Sequence, residues 1–516
     1  MYNGPPLKTL RRRAVLSLAA SLLLSAAAPP IGAQETELRL PVEETVLDNG
    51  LRVLVVRRAE SPRVFCSLWW RVGSVHERPG LTGLSHFFEH MMFMGTDVIG
   101  TTDARRDAEI NARIEDVMNR VRQIDLARLE ASRRGDPPDP ALETRRAELL
   151  KDYDALVEEQ KKISIPEHLA KIFQAQGGTG LNATTSYDRT NYFVELPANK
   201  VELFCWLESD RFLKPVFRSF YPEREVVKEE RRMRTESTPT GLVQEAYWAL
   251  FWQAHPYGWP VIGWMSDIEQ YTAADARRYY ETHYSPENAT AIFVGDLDPA
   301  EVRELCRRYF GRLRRFPGGR PPVVTQEPEQ NGERRLHAEA DAPGEVAVRW
   351  HGPSGVHRDS AALDLLMAIF AGRSGRLYRP LVEEKALAVD VESWYWSLRY
   401  GGVIHVGLTL REGADPAAAE RALLDLVEDV RKNGVTEREL QKARNRQTAD
   451  LVRQLKTYSG IAQQLGYFET IGTWRDFDAY VRNLQSATAA DLKRCAEQYL
   501  RPAGRNVLVL RRKGAR

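Results

Sequence analysis

The sequence predicts an α+β fold of two related halves, with a helical coiled-coil hairpin inserted in the first. Three observations carry this. Thr272-Ala273-Ala274-Asp275 recurs late in the chain as Thr488-Ala489-Ala490-Asp491, and at the same offset Arg278 meets Arg494, Glu281 meets Glu497 and Pro286 meets Pro502. Self-similarity over such a length marks a repeated unit. In both copies a helix-like segment opens at a threonine cap, stops near the proline and yields to a β-rich run, 289–294 and 505–510. Finally, within the highly charged stretch 103–162, Ile110, Ile114, Val117, Val121 and Ile124 step by four, three, four and three, a heptad stripe on a long helix.

The elements follow in chain order. Residues 1–33 combine a basic start (Lys8, Arg11, Arg12, Arg13), an uncharged apolar stretch over 14–28 and small residues ending at Gly32-Ala33. This is the layout of a secretory signal peptide, so the chain is expected to be exported, to a periplasm in a bacterium. Arg12-Arg13 leaves a twin-arginine variant open, and an uncleaved anchor is the alternative. Past residue 30 no apolar run approaches the ~20 residues of a membrane span. The formal charge is +2 for 516 residues; the leader carries four basic and no acidic side chains, so without it the charge is −2. Such a balance gives no nucleic-acid footprint.

The first half is expected over 40–315, the hairpin within it over 103–162, a Pro/Gly/Glu-rich linker over 316–331 and the second half over 332–512. Gly135-Asp136-Pro137-Pro138-Asp139-Pro140 must end the first hairpin helix, and Leu142, Leu149, Tyr153 and Leu156 line the second. The hairpin is expected to project from the first half as a solvated spacer, or else to dock a partner or guard a substrate entrance. Cys66, Cys205, Cys306 and Cys495 lie far apart without a Cys-x-x-Cys, and read as isolated buried thiols.

The chemistry sits in His86-Phe87-Phe88-Glu89-His90. A helix puts two imidazoles four apart on one face, where both can bind one Zn²⁺ at about 2.0–2.1 Å. Glu89 is then close enough to the metal to hold a water and take its proton. The order is the inverted zincin one, His-x-x-Glu-His. A catalytic zinc needs a third protein ligand. The best source is the helix-like run around Glu223 and Glu230, seven apart and two turns along one face. One can ligate while the other braces a ligand histidine.

On these residues the sequence resembles the M16 family of zinc metallopeptidases, the group of pitrilysin, insulin-degrading enzyme and the mitochondrial processing peptidase. Asp48-Asn49-Gly50-Leu51-Arg52-Val53, Gly73-Ser74, the run from His86 to Thr96, Leu181-Asn182-Ala183-Thr184-Thr185, the Glu223–Glu230 helix, His255-Pro256-Tyr257-Gly258 and Val294-Gly295-Asp296 carry the likeness, over about 40–512. It implies that each half is an antiparallel sheet with helices and that the halves close around a chamber for peptides or unfolded polypeptides. It implies one zinc held by His86, His90 and Glu230, Glu223 as the bracing acid, Glu89 as the proton acceptor, and Asn182 and Ala183 on a strand that pairs with substrate. The stretch from His90 to Glu230 is longer than the family's usual gap, and the hairpin accounts for most of the excess.

One departure stands out. Many active relatives carry an Arg and a Tyr, seven apart, in the second half; here Val382 and Val389 occupy those positions. Some bacterial members split these features between subunits, so the chain is expected to be the zinc-bearing member of a heterodimer whose homologous partner supplies the pair. Arg376, Tyr378 or Tyr395 are the local substitutes. A non-catalytic peptide-binding or assembly subunit is the rival reading.

Overall fold

A computed structural model describes residues 38–514; the expected leader, 1–33, lies outside them. The first sheet comprises β1 (Val42–Val46), β2 (Arg52–Arg57), β3 (Arg63–Trp70), β4 (Thr179–Thr185), β5 (Thr190–Pro197) and β6 (Ala289–Gly295), in the order β1-β2-β6-β3-β5-β4. The second comprises β7 (Arg334–Ala340), β8 (Glu345–Gly352), β9 (Ala388–Ser397), β10 (Gly402–Leu410) and β11 (Asn506–Arg512), in the order β7-β11-β8-β10-β9. Leaving β1 aside, both sheets wind alike: the first strand lies beside the fifth, then the second, fourth and third. The repeat in the sequence is therefore a repeat in topology.

The sheets are antiparallel except for one pair each, β2–β6 and β7–β11. Each of these pairs joins the two ends of its half, and everything between serves as the long crossover that a parallel pair requires. Helices cover the sheets, so β6 is buried throughout and reads as a continuous apolar run rather than an alternating one.

The helices that matter for the site are α1 (Leu84–Met91), α2 (Ala104–Arg134), α3 (Pro140–Lys161), α4 (Phe220–Arg231), α5 (Gly241–Phe251), α6 (Ala273–His283), α7 (Tyr458–Ile471) and α8 (Ala489–Tyr499). The repeated segments are α6 and α8. Each opens in a capping box, Thr272 with Asp275 and Thr488 with Asp491, and each is followed by a proline-led turn into the last strand of its sheet.

The hairpin is α2 and α3. Asp103 caps the first helix, Gly135 ends it in a left-handed turn at φ 76°, and Asp139 caps the second with Pro140 in its opening turn. The heptad stripe is buried, but against the body of the first half as well as against α3. Tyr153 meets Tyr221 of α4 edge-on at 6.2 Å, and at the root a buried Arg218–Asp107 ion pair of 2.8 Å is joined by Gln160. The hairpin thus lies along α4 instead of projecting freely, because its apolar surface is wider than one coiled-coil seam.

The two halves exchange helices. α5, from the first half, lies on β7 and β11, where Tyr247 Oη donates to the Asn506 carbonyl at 2.6 Å and stacks under Arg349 at 4.1 Å. α7, from the second half, lies on β3 and β6, with Gly466 so close to the Trp69 indole that a Cβ would run into it. The junction is close-packed there. Residues 316–331 carry no helix or strand yet are tied down, since Glu327 accepts the backbone N–H of Gln253, Ala254 and His255 at 2.8, 3.0 and 3.1 Å. All four cysteines are buried and free. Among the described residues no helix is long and apolar enough to cross a membrane.

Candidate metal centre

The apolar residues of α1 fix its orientation. Phe87, Phe88 and Met91 are fully buried; Phe87 packs on Phe220 of α4 at 4.7 Å and Phe88 on Tyr284 at 4.3 Å. Gly83 starts the helix at φ 88°, where a Cβ would strike the Ile262 carbonyl. Glu77 accepts the N–H of Gly83 and of Ser85, each at 2.7 Å, and so satisfies the open helix end. His86, Glu89 and His90 are left on the side that faces α4 and β4.

On α4, Phe220, Tyr221 and Val227 are buried while Glu223 and Glu230 face α1. His86 Nε2 lies 3.7 Å from Glu230 Oε1, and His90 Nε2 lies 3.4 Å from Glu230 Oε2. One donor atom from each of these three residues falls within 4.8 Å of the others. The two rings meet at 4.8 Å and 69°. Zinc donors at about 2.0–2.1 Å in a tetrahedral site stand about 3.3–3.4 Å apart. The two imidazole–carboxylate spacings come close to that arrangement and are longer than an ordinary hydrogen bond. Since a carboxylate only accepts, His90 donates Nδ1–H to Glu223 Oε1 at 2.8 Å, which turns Nε2 toward Glu230, where a bound metal would take the place of its proton.

The electrostatics also favour a cation. Burial holds His86 down at about 4, so its ring is neutral at neutral pH. Burial acts the same way on His90, but its hydrogen bond to Glu223, its close contact with Glu230 and the charges of both outweigh it and raise the ring to about 9. Burial pushes Glu230 up, and His90 and His86 more than reverse this. Two carboxylates around two imidazoles draw in positive charge, and the donor set suits a divalent cation of zinc's type. Glu89 is raised by burial, opposed by a 2.5 Å hydrogen bond from the Thr185 hydroxyl.

β4 is the edge of its sheet, hydrogen-bonded only to β5 among the described residues, and it ends beside α1 at Thr185. Asn182 and Ala183 lie on it. The Asn182 side chain is exposed, that of Ala183 is buried, and Asn182 Oδ1 accepts the Ala183 N–H at 2.9 Å. In the second half, Val382 packs on the core and Val389 is exposed on the edge strand β9. Two of the three local substitutes are engaged elsewhere, Arg376 with Glu439 and Asp429 and Tyr395 with the Pro353 carbonyl at 2.8 Å, while Tyr378 packs on the core with Arg373 over its ring at 6.0 Å.

Three contacts at the centre were not read from the sequence. Arg234, one turn beyond Glu230 on a π-helical stretch, pairs with Glu230 at 2.7 Å, and its spacing from Glu230 was a readable signal. Thr185 and Glu77 act across the tertiary fold, and no local pattern announces them.

Fold and centre together define a protein of two repeated α+β units with, among the described residues, one His-His-Glu centre, in the first. The chain belongs to the M16 peptidase family. Residues 52–111 and 157–263 match the family model described as Insulinase (Peptidase family M16), and 270–447 match Peptidase M16 inactive domain. The gap at 112–156 is most of the hairpin. The zinc protease PqqE of Helicobacter pylori is 27% identical over 90% of this chain and 91% of that protein. A solved protease structure from Helicobacter pylori superposes with a TM-score of 0.74 at 25% identity, covering 92% of this chain and 99% of that one. The periplasmic protease PqqL from Escherichia coli shares the fold at a TM-score of 0.66 and 19% identity; 91% of this chain matches 47% of that one.

Proposed function

We propose that the chain is a zinc-dependent endopeptidase that hydrolyses peptides or unfolded polypeptides outside the cytoplasm. The observation that carries this is the convergence of His86, His90 and Glu230 at metal-donor spacing, with Glu89 beside them. His86, His90 and Glu230 would hold the zinc, and Glu223 fixes the ring of His90. A bound zinc supplies Lewis-acid polarisation of the scissile carbonyl and acidifies water there. Glu89 accepts a proton on its carboxylate and returns it to the leaving amine. The free edge of β4, with Asn182 and Ala183, pairs with extended substrate. Relatives named zinc proteases support the reading.

The two halves were expected to close around the substrate chamber; with α5 and α7 packed across their junction, we assign its closing wall instead to a homologous second subunit that supplies the missing Arg and Tyr. PqqL, whose chain spans about twice this unit, is a precedent for the paired fold. The signal-like 1–33 supports export. Glu89→Gln is expected to keep zinc and lose peptide cleavage; turnover retained in that variant would remove Glu89 from its role. Full activity of the lone purified chain would sink the heterodimer. The valines at 382 and 389 favour the second reading, a non-catalytic subunit; zinc-dependent cleavage by a complex containing this chain, abolished by Glu89→Gln, excludes it.

A further inference from the structure

We propose that the groove between the hairpin and α4 binds an acidic peptide segment. The groove encloses about 900 Å³, with α2 and α3 as one wall and α4 and the residues leading into α6 as the other. Helical spacing puts Tyr221, Arg224 and Lys228 on the side of α4 opposite Glu223 and Glu230, so this is a separate site from the metal centre.

Two cations in the groove lack an anion. Arg122 of α2 and Arg224 of α4 both line it and are half-buried. Neither has a carboxylate within 4.0 Å among the described residues, and the Nε of each has no hydrogen-bond partner. Arg224 has only the Tyr271 carbonyl at 3.3 Å and the Tyr221 ring, 5.1 Å below it. Other hairpin arginines are paired: Arg106 with Glu159, and both Arg128 and Arg146 with Asp125. The carboxylates of the groove are mostly taken as well. Asp125 is shared by those two arginines, Lys228 holds Glu225 and Glu269 at 2.9 and 3.5 Å, Asp136 pairs with Arg134 at 2.8 Å, and Asp139 caps α3. Asp154 remains, against two open guanidiniums.

A guanidinium stacked on an aromatic ring keeps its plane fixed and its edge free, which suits a carboxylate gripped through two parallel N–H donors. Half-burial reduces solvent screening, so an anion gains more here than on open surface. The occupant is larger than a small anion. The volume is near the upper end of the roughly 300–1,000 Å³ of sites that enclose drug-sized ligands. Val121, Leu129, Leu142 and Leu150 line the groove beside the arginines, and Leu129 is 45% exposed. Carboxylates next to apolar side chains, on a short peptide, match both features.

The test uses the full chain carrying Glu89→Gln, to spare the probe, and a fluorescein-labelled Glu-Leu-Leu-Glu-Leu-Glu peptide read by anisotropy at low ionic strength. Saturable binding is expected, at least about 10-fold weaker in Arg122→Gln/Arg224→Gln. Equal binding of the matching Lys-Leu peptide, unchanged affinity in the double variant, or displacement by millimolar inorganic phosphate would overturn the proposal. A photo-crosslinking version of the peptide on the chain with both arginines intact does not depend on how the double variant folds. Cross-links are expected within 118–154 and 221–228, and cross-links confined to β4 would equally refute the site.

Discussion

Replacing Glu223 with alanine removes the acceptor of His90 Nδ1–H, a 2.8 Å contact between side chains only 23% and 17% exposed. A hydrogen bond to a charged partner contributes about 1.5–3 kcal/mol. Losing such an outer partner of a ligand histidine lowers metal affinity about 10–100-fold. At about 1.36 kcal/mol per tenfold, the two figures agree. The zinc Kd of Glu223→Ala is therefore expected to rise about 10–100-fold, with Glu223→Gln, which keeps an acceptor but no charge, in between. Arg234→Ala is the internal control. Its 2.7 Å pair touches the same centre, but Arg234 is 72% exposed, and such pairs contribute about 0–1 kcal/mol, under about fivefold. The assay is competition with a fluorescent zinc chelator on metal-stripped protein, with circular dichroism to check the fold. In the metal-free protein the titration of His90, held at about 9 by both glutamates, also moves to lower pH. A Glu223→Ala affinity within twofold of the parent, or a larger loss in Arg234→Ala, would refute the reasoning.

Thr185→Val removes the hydroxyl that lowers Glu89, so the acid limb of kcat/KM against pH should shift to higher pH; an unmoved limb would detach Thr185 from Glu89. Asp364, in the second half, is pushed by burial from 3.8 to about 7 although Tyr480 Oη donates to it at 2.9 Å. A carboxyl raised on folding favours the folded state while protonated, below its unfolded value, and loses that advantage as pH rises through about 7. Asp364→Asn should therefore gain on the parent between about pH 4 and 8, by up to roughly 4 kcal/mol. Thermal unfolding at both ends of that range checks this, and an equal difference at both contradicts it. Gly466→Val drives a branched side chain into Trp69 between the halves and should lower stability by about 1–3 kcal/mol or more in denaturant unfolding; unchanged stability would mean that α7 shifts freely on its sheet.

What the sequence made legible was mostly local. His86 and His90 share a helix face by spacing alone, and Thr272 and Thr488 announce their helices through caps that need only the next few residues. Glu230 was reachable, although the whole hairpin and two strands separate it from His90, because its spacing from Glu223 is itself helical. Contacts across the fold were not legible. A heptad stripe tells which face of α2 is apolar, not whether α3 or α4 will cover it. The parallel β2–β6 pair joins strands from opposite ends of the first half, and Thr185 reaches Glu89 only because an edge strand ends where α1 turns its polar side. Arg122 gave no sign that it would lack an acidic partner, since pairing depends on where α4 lies.

The most direct test of the central claim is the metal content of the chain purified without added metal, compared with His86→Ala/His90→Ala, by elemental mass spectrometry. One zinc per chain, lost in the double variant, is the predicted result. Parent protein without zinc, or zinc retained when both imidazoles are gone, would contradict it.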